Sequence, residues 1–166
     1  MYATGAKVDN GGTFREMMYT PTIQYVLDTS VIIKWYRQDE VLAEEAMFLR
    51  DAYLKGKIAI SFPALLAYEL ANVLRYKHEL SVAQVQDAMQ SLFELSVDWH
   101  SPTSVLMQRA VEIAHNFETT VYDAAFVALA EALNIDFITA DKRLTNRLSS
   151  LPFVRFLGQI ESPATT

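Results

Sequence analysis

Four carboxylates, Asp28, Glu69, Asp123 and Asp141, are the residues whose types could do chemistry, and they stand 41, 54 and 18 positions apart in a chain of 166 residues. Spacings this long match no local motif, so only the fold could bring the four together. The rest of the inventory narrows the chemistry by elimination. The chain has no cysteine, which excludes a disulfide framework, a thiolate nucleophile and every zinc site that uses sulfur. His78, His100 and His115 lie 22 and 15 positions apart, so none forms the close pairs of helical metal motifs. Carboxylates without thiol or paired imidazole favour a hard-cation site, and such oxygen donors suit Mg²⁺ or Mn²⁺. If the four converge, their repulsion either raises some of their pKa values or recruits a divalent ion. A Mg²⁺ held by a few carboxylates keeps waters and leaves positions for a phosphate oxygen and an attacking water, the arrangement of two-metal phosphodiester hydrolysis.

Each acid also has a plain structural role. Asp28 directly follows a strand-like run and could start a turn or cap a following helix. Thr120 and Asp123 have the spacing of a capping box, with Asp123 complementing the helix dipole. Asp141 has the position of an N-cap. Glu69 falls on the stripe Leu65, Leu66, Glu69, Asn72, Val73, three and four residues from apolar neighbours, where a carboxylate must find cations or be protonated. Its structural role would be a buried pair with Arg75 or a lysine.

The elements that must position these acids follow from periodicity and punctuation. Thr22 to Leu27 reads as a strand ending at Asp28, Val41 to Leu54 as a helix stopping at Gly56, and Lys57 to Phe62 as a second strand. Pro63 is a good first-turn residue for a helix to about Glu79, and Ser81 caps another through Leu95. Val97 to Trp99 reads as a strand, and Pro102 opens a helix to about Asn116. Tyr122 to Leu133 is an Ala-rich helix ended by Asn134, Asp136 to Thr139 a strand, Asp141 to Leu148 a short helix and Val154 to Phe156 a last strand. Strands alternating with helices predict an α/β sandwich with a mainly parallel central sheet. The first strand, apolar on both faces apart from Gln24 and Tyr25, should be central. Ligands of open α/β sheets bind outside the carboxyl ends of the strands, which is where Asp28 and Asp141 fall.

Composition bounds the rest. A mass of 18.8 kDa with 51% hydrophobic and 20% charged residues is that of one domain with a sizeable core and excludes disorder. The net charge of −6 leaves room for no more than a local basic rim toward nucleic acid. No apolar run approaches the ~20 residues of a membrane span. Residues 1–19 have Gly, Asn and Asp where a signal peptide needs an apolar stretch and read as a flexible extension. The folded domain is expected over 20–158, a short tail over 159–166, and a cytoplasmic location.

The segments VLDTSVIIKWY (Val26 to Tyr36), PALLAYELANVLRY (Pro63 to Tyr76) and TTVYDAAFVALAEALNIDFITADKRL (Thr119 to Leu144) resemble, in order, spacing and context, the successive motifs of PIN-domain nucleases, especially the VapC-type toxins. The resemblance covers about Thr20 to Gly158, and no acidic position departs from the pattern. It implies a PIN-like three-layer α/β/α sandwich in which Asp28, Glu69, Asp123 and Asp141 are the acidic quartet around one or two Mg²⁺ or Mn²⁺ ions. Asp28 and Asp123 would be direct ligands, Glu69 and Asp141 ligands or water-positioning groups, and water the nucleophile. Thr29, Ser30 and Thr139 match small hydroxyl positions that orient carboxylates or water. Members of the family cleave RNA endonucleolytically, and VapC-type toxins are neutralised by a small antitoxin protein and usually form homodimers.

Lys34, Arg37, Arg75, Lys142, Arg143 and Arg147, with Trp35 and Tyr36 interleaved, are candidates to contact RNA phosphates and stack bases, solvated helix faces being their plain role. Apolar helix surfaces between Val41 and Leu95 offer a dimer or antitoxin interface, or else core. A covalent phosphotransfer domain is disfavoured, because Ser30 occupies the place of the second Asp it would need. A stand-alone RNA-processing nuclease and a non-catalytic RNA-binding or interaction module on the same fold remain the alternative readings.

Overall fold

Apolar runs of strand length alternate with helical periodicity along the chain, and the computed structural model turns this alternation into a single sheet flanked by helices. It describes residues 23–160. The expected extension over 1–19, strand residue Thr22 and tail residues 161–166 lie outside the described residues. The elements are β1 (Ile23–Leu27), α1 (Thr29–Tyr36), α2 (Ala43–Leu54), β2 (Ile58–Pro63), α3 (Leu65–Arg75), α4 (Val82–Phe93), β3 (Asp98–His100), α5 (Ser104–Asn116), α6 (Val121–Leu133), β4 (Asp136–Thr139), α7 (Lys142–Arg147) and β5 (Val154–Phe156), closed by a 3₁₀ turn at Leu157–Gln159.

Strand order is β3-β2-β1-β4-β5, with every pairing parallel. The chain winds outward from β1 through β2 to β3, then returns by α5 and α6 to lay β4 on the other side of β1. The reversal at β1/β4 makes a topological switch point, the crevice where open parallel sheets bind ligands. β1 is central, as its apolar character predicts: Val26 and Leu27 are fully buried. Its two polar exceptions are also accounted for. Gln24 donates to Ser61 Oγ of β2 at 2.7 Å and to Asp98 of β3 at 3.2 Å, and the Tyr25 hydroxyl, partly buried near Asp136, is held above its usual pKa, chiefly by burial.

Helix α6 carries much of the core. Ala124, Phe126, Val127, Ala128, Leu129 and Ala130 are buried, so this helix is apolar round most of its circumference, as a helix pressed between a sheet and a second helix must be. It packs on β1, β2 and β4, with α5 packed against it. Burial of each large side chain here stabilises by about 1.5–3 kcal/mol. Local punctuation agrees with the sequence reading at several ends: Ser81 closes a complete capping box with Gln84, Asn134 ends α6 in the left-handed region at φ 54°, and Gly56 follows α2 at φ 66°.

Three differences from the periodicity reading have physical causes. Helix α1 begins directly after Asp28, in a segment to which periodicity assigns no element; its β-branched TSVIIKWY is a poor helix former, and burial of Val31, Ile32 and Ile33 outweighs propensity. Pro63 closes β2 opposite His100 instead of opening α3, a strand end where a missing N–H is tolerated. Helix α3 stops at Arg75, short of Glu79.

Candidate active site

All four predicted acids line one open cleft at the carboxyl end of the sheet, shared by Asp28, Thr29, Ser30, Ile33, Glu40, Glu69, Asn72, Val73, Asp123 and Asp141. Asp28 stands immediately beyond β1, where its N–H still donates to Ile138 O of β4 at 2.9 Å, so the central strands themselves set its position. It is the N-cap residue of α1 by location, yet its side chain makes no capping bond. Instead the hydroxyls of Ser30 and Thr139 donate to its Oδ2 at 2.6 and 2.7 Å. Those hydroxyls are in turn fixed from behind: Ala140 N donates to Ser30 Oγ at 2.9 Å and Asp141 N to Thr139 Oγ1 at 3.0 Å. Because each hydroxyl oxygen accepts a backbone N–H, its own proton is directed at the carboxylate.

Among the described residues, Glu69 pairs with neither Arg75 nor a lysine. The core stripe of α3 is Leu66, Leu70 and Leu74, all fully buried, and Glu69 lies on the flank beside it, half-buried and facing the cleft. Thr29 Oγ1 donates to its Oε2 at 2.6 Å, tying α3 to the first residue of α1. Asp123 sits in the first turn of α6, its N–H donating to the Thr120 cap at 3.0 Å, while Thr119 and Thr120 donate to its Oδ2 at 3.1 and 2.7 Å. Asp141 does cap α7: its Oδ1 accepts from Arg143 N and Leu144 N at 2.8 and 3.1 Å.

The electrostatics of the cleft are those of crowded acids. Burial raises the Asp28 carboxyl above the ordinary carboxylate range; the Ser30 and Thr139 hydrogen bonds oppose the rise and the charge of Asp123 adds to it. Burial likewise raises Glu69, against its bond from Thr29, and the charges of Asp28 and Asp123 add to the effect. Among the described residues, five carboxylates and no Lys, Arg or His line the cleft; Lys34 and Lys77 pair with Glu40 from outside it, and the four predicted acids have no cationic partner.

This donor set fits a small hard cation. In each of the four predicted acids the hydrogen bonds described above fall on one carboxylate oxygen, leaving the other outside those contacts. Among the described residues, no three His, Cys, Asp or Glu side chains stand as a ready-made metal cage. The open arrangement leaves room for water beside any hard divalent cation that these carboxylates would hold.

The predicted basic rim divides. Lys34 is buried, with its Nζ 3.0 Å from Glu40, and Arg37 pairs with Asp39 at 2.9 Å and with Glu79, so neither presents a free charge to a phosphate. Trp35 is buried too, its indole donating to Ala46 O at 2.9 Å, and this removes it as a base-stacking surface. The Tyr36 hydroxyl is bonded to Ser91 at 3.0 Å. Arg75 is exposed and lies over the Tyr76 ring. Lys142, Arg143 and Arg147 are exposed on α7, beside Asp141, with Arg147 donating to Glu118 O. Glu40 was not foreseen as a cleft residue. It follows α1 in an irregular segment that no periodicity rule covers, and it is held there by Lys34 and, at 3.6 Å, Lys77.

Fold and site together define an open, wholly parallel α/β domain with an acid-lined cleft at its switch point. The PIN domain family model matches residues 25–148, and the chain belongs to that family. It is similar to VapC ribonuclease Mb0985 of Mycobacterium bovis and to Ribonuclease VapC9 of Mycobacterium tuberculosis, each 36% identical over 126 residues, 72% of this chain and 89% of the relative. Among solved structures, its fold is similar to that of a toxin–antitoxin complex from Klebsiella pneumoniae (TM-score 0.60, 17% identity, 82% of this chain and 99% of the other).

Proposed function

We propose that the protein is a divalent-metal-dependent endoribonuclease that hydrolyses RNA phosphodiester bonds with Mg²⁺ or Mn²⁺ and acts as the toxin of a toxin–antitoxin pair. The observation that carries this reading is the cleft itself: Asp28, Glu69, Asp123 and Asp141 brought from four separate stretches of chain to the switch point, with no basic residue among the described residues that line it. Asp28 and Asp123 are the direct ligands in this reading, and Glu69 and Asp141 either bind the ion or orient water. The ion, when bound, supplies Lewis-acid polarisation of the phosphodiester and an activated water. Thr29, Ser30 and Thr139 hold the carboxylates in place. Lys142, Arg143 and Arg147, exposed next to the cleft on α7, engage flanking phosphates.

A small antitoxin protein and a second copy of the chain are the proposed protein partners. Val41, Tyr76, Val82 and Phe93, exposed apolar residues between Val41 and Leu95, offer them surface. Among the described residues no helix is long and apolar enough to cross a membrane, and a cytoplasmic location belongs to the same proposal. The test is cleavage of a pool of structured and single-stranded RNAs with Mg²⁺, with Mn²⁺ and with chelator, alongside Asp123→Asn. Metal-dependent cutting that disappears in the variant is expected. Equal cutting by Asp123→Asn, or cutting that survives chelation, would overturn the assignment.

A further inference from the structure

A phosphodiester brings hydrogen-bond acceptors and no donor, so a protein that holds one directs donors or cations at its oxygens. The lining of the acidic cleft is short of both. Among the described residues, five of its ten members are carboxylates, which only accept when ionised, and Ile33 and Val73 are apolar. Its two hydroxyls are committed: Thr29 donates to Glu69 Oε2 and Ser30 to Asp28 Oδ2, each at 2.6 Å. The remaining member is Asn72, whose amide is the one side-chain N–H donor in this lining. Asn72 follows Glu69 on α3 at the i,i+3 spacing, which puts both side chains on one helix face with Cβ atoms about 5–6 Å apart. Val73, at i+4 from Glu69, lines the cleft too, so this face of α3 borders the cleft over a full turn. The core stripe Leu66, Leu70 and Leu74 takes the buried side of the helix and leaves Asn72 exposed. No other described residue hydrogen-bonds to the Asn72 amide. Asn is also among the poorer helix formers and caps nothing in the middle of α3, so neither propensity nor capping accounts for it there.

We propose that Asn72 is a substrate-contacting residue, whose Nδ2 donates to a non-bridging oxygen of the scissile phosphate. This rests on the nuclease reading and adds to it a residue outside the acidic quartet. An acceptor-only substrate group thereby meets the single uncommitted side-chain donor among acceptors, one helical turn from Glu69. Asn72 transfers no proton in this role. In the hydrolysis, water adds to phosphorus and the P–O bond to the leaving ribose oxygen breaks; the hydroxyl of the water stays on phosphorus and its proton ends on the leaving oxygen. Negative charge on the non-bridging oxygens grows as the water attacks, so a donor fixed at one of them binds the transition state more tightly than the ground state. A hydrogen bond to an ionised oxygen is also stronger than one between neutral groups.

The probes are single-stranded RNAs whose linkages are all oxygen, all Rp phosphorothioate or all Sp phosphorothioate, offered to the full chain. Sulfur accepts hydrogen bonds weakly, so it removes the contact at whichever oxygen it replaces. Asn72→Ala should lower kcat/KM on the all-oxygen RNA about 10- to 100-fold, the effect of losing one hydrogen bond to a charged group. In one phosphorothioate series the same substitution should cost nothing further, while the other series keeps the full loss. Asn72→Asp, which keeps the shape and removes the donor, should be no better than Asn72→Ala. The side chain is exposed, so both variants leave the core untouched. An Asn72→Ala loss that is equal in all three RNAs overturns the contact, as does wild-type cleavage by either variant. Binding of the same RNAs, with Ca²⁺ in place of Mg²⁺ and followed by fluorescence anisotropy, supplies a readout other than cleavage. A wild type that binds RNA with this dependence on Asn72 and on one sulfur configuration, yet never cleaves it, keeps the contact and rejects the nuclease. A wild type that neither binds nor cleaves RNA rejects both.

Discussion

Asp28 accepts two hydroxyl bonds on one oxygen, and the hydroxyl of Thr139 is the more informative of the two to remove. It donates to Asp28 Oδ2 at 2.7 Å and accepts Asp141 N at 3.0 Å, linking the first and last acids across the β1/β4 boundary. Thr139→Val keeps the shape and deletes both bonds in a site with 0% exposure. It should cost about 1–3 kcal/mol in urea unfolding, because a backbone N–H loses its acceptor. It should also lower metal affinity or cleavage about 10- to 100-fold, the usual effect of losing a group that orients a ligand. A variant as active and as stable as wild type would mean that the hydroxyl network does not position Asp28.

At the scale of elements, α6 is the piece that delivers Asp123, and α5 is locked to it by a bidentate pair: Arg109 Nε and Nη2 reach the two Glu131 oxygens at 2.6 and 2.9 Å. The hydrogen bond from Arg109 holds the Glu131 carboxyl below its usual pKa. A lowered folded-state pKa means stabilisation that is present above the unfolded value of about 4.3 and is lost as pH falls through the folded value. Both side chains are more than a third exposed, so screening by solvent limits the pair to about 0.5–1 kcal/mol. Glu131→Gln should therefore be less stable than wild type by that amount at pH 7, and the gap should close near pH 3. A gap that persists unchanged at pH 3 would assign the effect to packing rather than charge. Since Glu131 lies at the opposite end of α6 from Asp123 and pairs with Arg109 of α5, outside the cleft, cleavage by the same variant should be unaffected at temperatures where it is folded.

For the whole molecule, the cleft concentrates negative charge in a chain that is already acidic, so a bound cation should stabilise the fold as well as serve chemistry. Anything that binds only the native state stabilises by RT ln(1 + [L]/Kd), about 2.7 kcal/mol at a hundredfold excess over Kd. For a domain of this size that is a rise in Tm of several degrees. Mg²⁺ or Mn²⁺ should thus raise the wild-type Tm, and chelator should reverse the rise. Asp28→Asn should show a smaller rise and, in chelator, at least wild-type stability, because it removes a buried charge facing Asp123 and Glu69. An Asp28→Asn rise equal to that of wild type would remove Asp28 from the ion's shell. Such a trade of stability for function is common where a site needs crowded charge.

Much of this was legible in the amino-acid sequence because it depends on short-range energetics. Alternating strand and helix runs, the caps at Ser81 and Thr120, the stop at Asn134 and the central, doubly apolar β1 all follow from periodicity and local hydrogen bonding, and the four acids stood out by type and place after strands or in helices. Tertiary structure decided what depends on partners remote in sequence. Helix α1 forms from β-branched residues because the core buries them. Lys34 and Trp35 turn inward, while Tyr68 and Tyr122 remain outside, because a helix buries only the faces its neighbours cover. The bond from Thr139 to Asp28 spans 111 positions, and Glu69 meets Thr29 across 40. The first contact exists because the sheet's winding reverses to lay β4 beside β1 and the second because α3 packs against α1, and no local pattern encodes where such packing places a hydroxyl against a carboxylate.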